Sequence, residues 1–135
     1  IAPDAARMAA MRCSEHDMAA LTAAAEAMQE TDLPLDDLTL ACMEFWKKLV
    51  LASQNLAYRL AFNSLLVTYV SDAGLLRQTI EQEIRAGAAY LEIARAIEAR
   101  DGELARAKTE ALMRIGSSAI YAAIELYEQM QGSEG

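Results

Sequence analysis

Histidine occurs once in this chain, and cysteine and proline twice each. Each scarcity removes a class of function. A lone His16 cannot build a multi-histidine metal site, and nothing places it beside a cysteine for Cys-His catalysis. Cys13 and Cys42 have no metal-ligand spacing, and without a signal peptide they point to a reduced, cytoplasmic compartment. Glycine-rich phosphate loops are missing. No apolar run reaches the roughly eighteen residues needed to cross a bilayer, so no membrane partner is expected. Basic residues are outnumbered, 12 Lys and Arg against 20 Asp and Glu, for a net charge of −8. Such a field repels phosphate backbones, which argues against nucleic-acid binding by this segment itself. The paired carboxylates, Asp36 with Asp37 and the "EQE" of Glu81 to Glu83, lack an apolar context, so solvated helix faces are expected and not raised pKa values. The residues therefore predict no enzyme, no cofactor and no metal.

What remains is rich in alanine, leucine, methionine, glutamate and arginine. Strong helix formers in that proportion predict an all-α fold. At 135 residues the chain is long enough for one core and is read as a single domain, 1–135. Periodicity predicts a bundle of about five to seven helices. The first covers Pro3 to Arg12. Ser14, with Asp17 three residues on, opens a second that runs to about Gln29. After the loop "ETDLP", residues Leu38, Cys42, Phe45, Trp46 and Leu49 mark one face of a third. "LAYRLAFNSLLVTYV" is almost continuously apolar, which predicts a central helix surrounded by others. "SDAG" reads as a turn or helix start. The pattern then runs from Leu75 to about Ala99, broken at Gly87. Asp101 is placed to cap a last helix from Gly102 to Gln131, with Leu112, Ile115, Ala119, Ala122, Leu126 and Met130 facing inward and "GSEG" fraying. The small-residue stretches "AALTAAAEA" and "GSSAIYAA" predict close helix packing or a subunit interface.

Polarity within apolar helices is the unusual feature. Arg59 and Asn63 lie one turn apart on the predicted central helix, and a buried arginine requires a partner. Two readings stay open. Arg59 either pairs with Glu83 or Glu92 or snorkels outward, or Arg59 and Asn63 line an internal cavity and meet a ligand's polar group. Tyr58, Tyr69 and Tyr90 either share that cavity or sit in the core with their hydroxyls satisfied.

Three segments, in order along the chain, carry a resemblance. "EFWKKLVLASQN" resembles "D-x-x-F-H … L-A-x-A-S-G-N". "YLEIARAIEARDGELARAKTEAL" is similar to "H-x-x-I-x-x-A-I-x-x-x-D-x-x-x-A-x-x-x-x-x-x-H", and "PDAARMAAMRCSEHDMAAL" to "A-A-x-L-A-A-x-R-x-T-x-x-D-L-x-x-L". All three belong to the FCD domain, the C-terminal effector domain of GntR-family transcriptional regulators, FadR subfamily. The resemblance implies an antiparallel helical bundle that forms a homodimer and senses a small-molecule effector in the bacterial cytoplasm. Operator DNA would be bound only through a winged helix-turn-helix preceding this chain, which starts at Ile1 within a helical pattern.

In the commoner branch of the family, an Asp and three His hold a divalent metal that helps bind carboxylate effectors. Here those positions are Cys42, Trp46, Tyr90 and Leu112. The resemblance thus points to the branch that does without metal and responds to long-chain acyl-CoA, and "NLAYRLAFNSLLVTY" resembles that branch's central helix at Asn55, Tyr58, Leu60, Asn63 and Tyr69. It implies a cavity in which Arg59 and Asn63 fix the polar end of an acyl-CoA or another largely apolar acid. Trp46, Tyr90, Leu112 and Phe62 would form its walls, with Cys42 and Tyr69 beside them. The alternative is a ligand-free helical module that only self-associates, the metal site having become packed core.

Overall fold

The computed structural model describes the backbone of residues 2–30, 32–71 and 81–134, and the side chains of residues 2–30, 32–64, 81–115, 128–130 and 132. Among the described residues there are helices and no strands. They are α1 (Ala2–Arg12), α2 (Glu15–Ala27), α3 (Leu35–Ala52), α4 (Leu56–Ser71), α5 (Glu81–Ile84), α6 (Gly87–Glu98) and α7 (Gly102–Glu134). The all-α bundle follows the helix-forming composition. Ser71 of "SDAG" is the last residue of α4, and the rest of that stretch and the start of the Leu75 pattern lie outside the described residues.

Helix α1 is built to be approached closely. Ala5, Ala6, Ala9 and Ala10 are all fully buried, and their spacing puts small side chains on one stripe, so α3, α6 and α7 pack against it. Ser14 caps α2 as expected, its Oγ accepting the Asp17 N–H at 3.1 Å. Asp101 does the same for α7, accepting from the Leu104 N–H at 3.1 Å. Helix α6 begins at Gly87 because α2 ends against it. A Cβ at Gly87 would stand 2.3 Å from the Met28 carbonyl oxygen, and Gln29 Nε2 donates to the Gly87 carbonyl at 2.6 Å.

Two non-glycine residues end helices in the left-handed region, Gln54 at φ 54° and Arg100 at φ 60°, where glycine is the usual choice. Both side chains reach back to carbonyls at and just beyond the C-terminus of α1. Gln54 Nε2 donates to Arg12 O at 2.8 Å, and the Arg100 guanidinium donates to Cys13 O at 2.8 Å. A glycine would relax the backbone but leave those carbonyls without their donors.

In its described first half, α4 differs from the surrounded central helix that its sequence suggested. It packs on α3, and Tyr58 donates to Asp4 of α1. Ala61 and Phe62 are half-buried, and much of the remainder of its first half is open, with Leu56 67% and Leu60 60% exposed. A continuous apolar run shows that a helix can be covered, but not that its own chain does the covering. Two smaller corrections concern α7. It continues through Glu134, and Met130, expected to face inward, is exposed. Of its expected stripe, Leu112 is fully buried and Ile115 packs partly buried on the core. The side chains of Ala119, Ala122 and Leu126 lie outside the described residues.

Candidate functional site

Helices α3 and α6 bring the expected Cys42, Trp46 and Tyr90 together, with Phe45 among them. Phe45 is on the buried stripe of α3, and its neighbour Trp46 stands at the stripe's edge, half-buried. Tyr90 of α6 is fully buried. The three rings meet edge to face, with centroids 5.3 Å apart for Phe45 and Trp46, 5.0 Å for Phe45 and Tyr90, and 5.9 Å for Trp46 and Tyr90. Each such pair contributes about 0.5–1.5 kcal/mol beyond its buried area. One turn before Trp46, Cys42 shares a hydrogen bond with the Tyr90 hydroxyl at 3.4 Å. Burial pushes the Cys42 thiol up to about 11, and burial also drives the Tyr90 phenol far upward. Both groups therefore stay neutral at physiological pH. Leu112 of α7 is buried in the same core.

Arg59, Asn63 and Phe62 are elsewhere. Arg59 and Asn63 are exposed on α4, so the internal cavity read from their spacing does not contain them. With Phe62 they line a groove of about 160 Å³ between α3 and α4, together with Lys47, Val50 and Leu51. Neither acidic partner proposed for Arg59 takes it, since Glu92 pairs with Lys108 at 3.3 Å and Glu83 has no partner among the described residues. The backbone of Tyr69 belongs to α4 and its side chain lies outside the described residues. His16 is exposed in the first turn of α2.

Sequence reasoning missed Glu83. Its "EQE" setting suggested a solvated carboxylate, yet only 8% of the residue is exposed, because the single turn of α5 lies against α3 and α7. Burial raises its carboxyl from 4.5 to about 7. Its charge is felt at Cys42 and at Tyr90, raising the pKa of both. The only available signal was Ile84, whose hydrophobicity anchors the turn in the core. A second groove, of about 500 Å³, runs past Arg7, Met11 and the turn from Ala99 to Glu103. Its arginines are already engaged, Arg7 with Asp4 at 3.0 Å and Arg100 with the carbonyls of Ala10 and Cys13.

The aromatic cluster does not fit a divalent metal. Leucine has no donor atom, the Trp46 indole offers only an N–H, and the Cys42 thiol and Tyr90 hydroxyl hold each other as neutral groups. Among the described residues no three His, Cys, Asp or Glu side chains converge on a common point. No described helix is long and apolar enough to cross a membrane.

The helical architecture agrees with a comparison against known families. The FCD domain profile matches residues 1–115, and the chain belongs to the FCD domain family. FCD domains are the effector-binding and oligomerisation domains of GntR regulators, and they are regulatory and not catalytic. No curated protein and no solved structure matches the chain.

Proposed function

We propose that residues 1–135 act as one effector-binding and dimerisation unit of a bacterial, cytoplasmic GntR regulator of the FadR subfamily, and that it senses a small, largely apolar metabolite without a metal. The observation that supports this reading is the Phe45–Trp46–Tyr90 cluster, whose Trp46 and Tyr90, with Cys42 and Leu112 packed in the same core, are the positions that the family resemblance assigns to metal ligands. Aromatic and aliphatic walls favour an apolar ligand body. The open leucines of α4, Leu56 and Leu60, support pairing with a second copy. Effector bound in the bundle would favour one placement of DNA-binding domains preceding this chain. Its affinity difference between the two placements bounds how far it shifts operator occupancy.

A second reading, an acid or acyl-CoA effector, draws on the α3–α4 groove. There Lys47, Arg59 and Asn63 meet over Val50, Leu51 and Phe62, a setting suited to a carboxylate with a short apolar tail. Titrating acyl-CoAs and short organic acids against Trp46 emission and thermal stability tests both readings. A saturable change in Trp46 emission places the ligand at the aromatic cluster. Stabilisation that disappears in Arg59→Ala, with Trp46 unmoved, places it in the groove. A flat response to every compound refutes both and leaves a module that only self-associates.

A further inference from the structure

Four polar or charged side chains are buried among the described residues, namely Thr39, Ser53, Glu83 and Thr109. Three satisfy themselves on their own helices, Thr39 through Leu35 O at 2.7 Å, Ser53 through Val50 O at 2.6 Å and Thr109 through Ala105 O at 2.8 Å. Cys42 and Tyr90 satisfy each other. Glu83 alone has neither a hydrogen bond nor an ion pair among the described residues. It is held by a single helical turn against the helices that carry Phe45, Trp46 and Leu112, close enough for its charge to act on Cys42 and Tyr90. A buried carboxylate without a partner is costly, and what relieves it is a cation or a hydrogen-bond donor. The cation that the sequence offered, Arg59, is on the outside of α4. The polarity expected of the site is therefore reversed, with the arginine facing solvent and a carboxyl lying inside.

We propose that Glu83 is the polar anchor of the effector site and that the effector is an amine, a small apolar body carrying a protonated nitrogen that the buried carboxylate holds. The proposal rests on the reading of the Trp46–Tyr90 cluster as the effector site. Apolar walls and one carboxylate select an alkyl or aryl ammonium and reject a carboxylate, which would set two like charges side by side.

Three probes with one tail and different heads test this on the full chain: hexylamine, 1-hexanol and hexanoate, in about 150 mM salt to screen the acidic surface. Readouts are the emission of Trp46, the single tryptophan, and the melting temperature. Hexylamine is expected to saturate at least about tenfold below hexanoate. In Glu83→Gln that advantage shrinks to about threefold or less. Glu83→Leu, which fills the space without a polar atom, gives the same answer should the glutamine variant fold poorly. Hexanoate binding as tightly as hexylamine overturns the amine assignment but leaves the effector site standing, because a ligand still reaches Trp46. An amine preference that survives in both variants belongs to the surface charge and overturns the role of Glu83. No response to any probe overturns the effector site and the amine together.

Discussion

Replacing Glu83 by glutamine should change how stability depends on pH in a way that no exposed acidic residue could. In the folded chain burial raises this carboxyl from 4.5 to about 7. The folded state therefore holds its proton more tightly than the unfolded state does. Between those two values the unfolded chain has released the proton and the folded chain has kept it, so stability falls as pH rises. The effect is small below 4.5, grows through the window and levels off above about 7. The total corresponds to about 3 kcal/mol, and an exchanging water molecule at the site would lower it. Glutamine keeps the shape but cannot ionise. The stability of Glu83→Gln relative to wild type should thus be near zero at about pH 4 and rise to roughly 2–3 kcal/mol in favour of the variant at about pH 8. For a chain of this length that is roughly 10 °C in melting temperature. Urea unfolding of both proteins across this pH range measures the difference directly. His16 and the surface carboxylates occur in both proteins and cancel. Cys42, at about 11, and Tyr90 do not titrate in the window. A difference that stays flat with pH would refute the buried, unpartnered carboxyl, and one that grows toward acid pH would mean that Glu83 is ion-paired.

Gly87→Ala should destabilise the fold by about 1–3 kcal/mol in chemical denaturation, because the new Cβ meets the Met28 carbonyl oxygen at 2.3 Å. At an ordinary exposed helix position the same change would stabilise, so its sign tests the close approach of α2 and α6. Arg100→Ala and Arg100→Gly both lose the donor to Cys13 O, and both should fall about 1–2 kcal/mol below wild type. Glycine relieves the left-handed backbone and should be the more stable variant by up to about 1 kcal/mol, while equal stabilities would mean that the φ of 60° carries no strain. In the native chain at about pH 8, Cys42 should resist iodoacetamide, since a thiol at about 11 is only about one part in a thousand thiolate. Mass spectrometry should find it alkylated only after denaturation, and labelling at the unfolded rate would refute its burial.

The helices could be read from the sequence because their ends are written in local chemistry. Ser14 and Asp101 cap α2 and α7 through bonds within one turn, and Gly87 marks the break before α6. What could not be read was which apolar face is covered by which neighbour. Arg59 and Asn63 stand on a helix whose apolar residues run all the way round, so periodicity offers no inside or outside, and they proved to be exposed. Glu83 failed in the opposite direction. Four residues of α5 are too few to show a period, and the burial of its side chain comes from contacts with α3 and α7 that are distant in sequence. The pairing of Trp46 with Tyr90 became legible only through the family pattern, which joined two segments that composition keeps apart.

In the proposed reading, Cys42, Trp46, Tyr90 and Leu112 stand where the family resemblance places an Asp and three His, and that exchange changes what holds this part of the bundle together. A metal site is organised by charge, and it loosens when the ion leaves. Three edge-to-face ring pairs and one Cys42–Tyr90 hydrogen bond are organised by packing and need no ion to hold them. Charge has not left the site altogether, because Glu83 retains it in a form that can be switched off by a proton. Near neutral pH the buried carboxyl is divided between its two states. Solvent protons and any cationic ligand then compete for one group. Binding of an amine to Glu83 must release a proton in proportion to how much of the carboxyl was protonated, and acidification must weaken that binding to the same extent. In the proposed effector site, packing thus does the structural work that a metal would otherwise do, and a single buried acid keeps the site able to respond to charge.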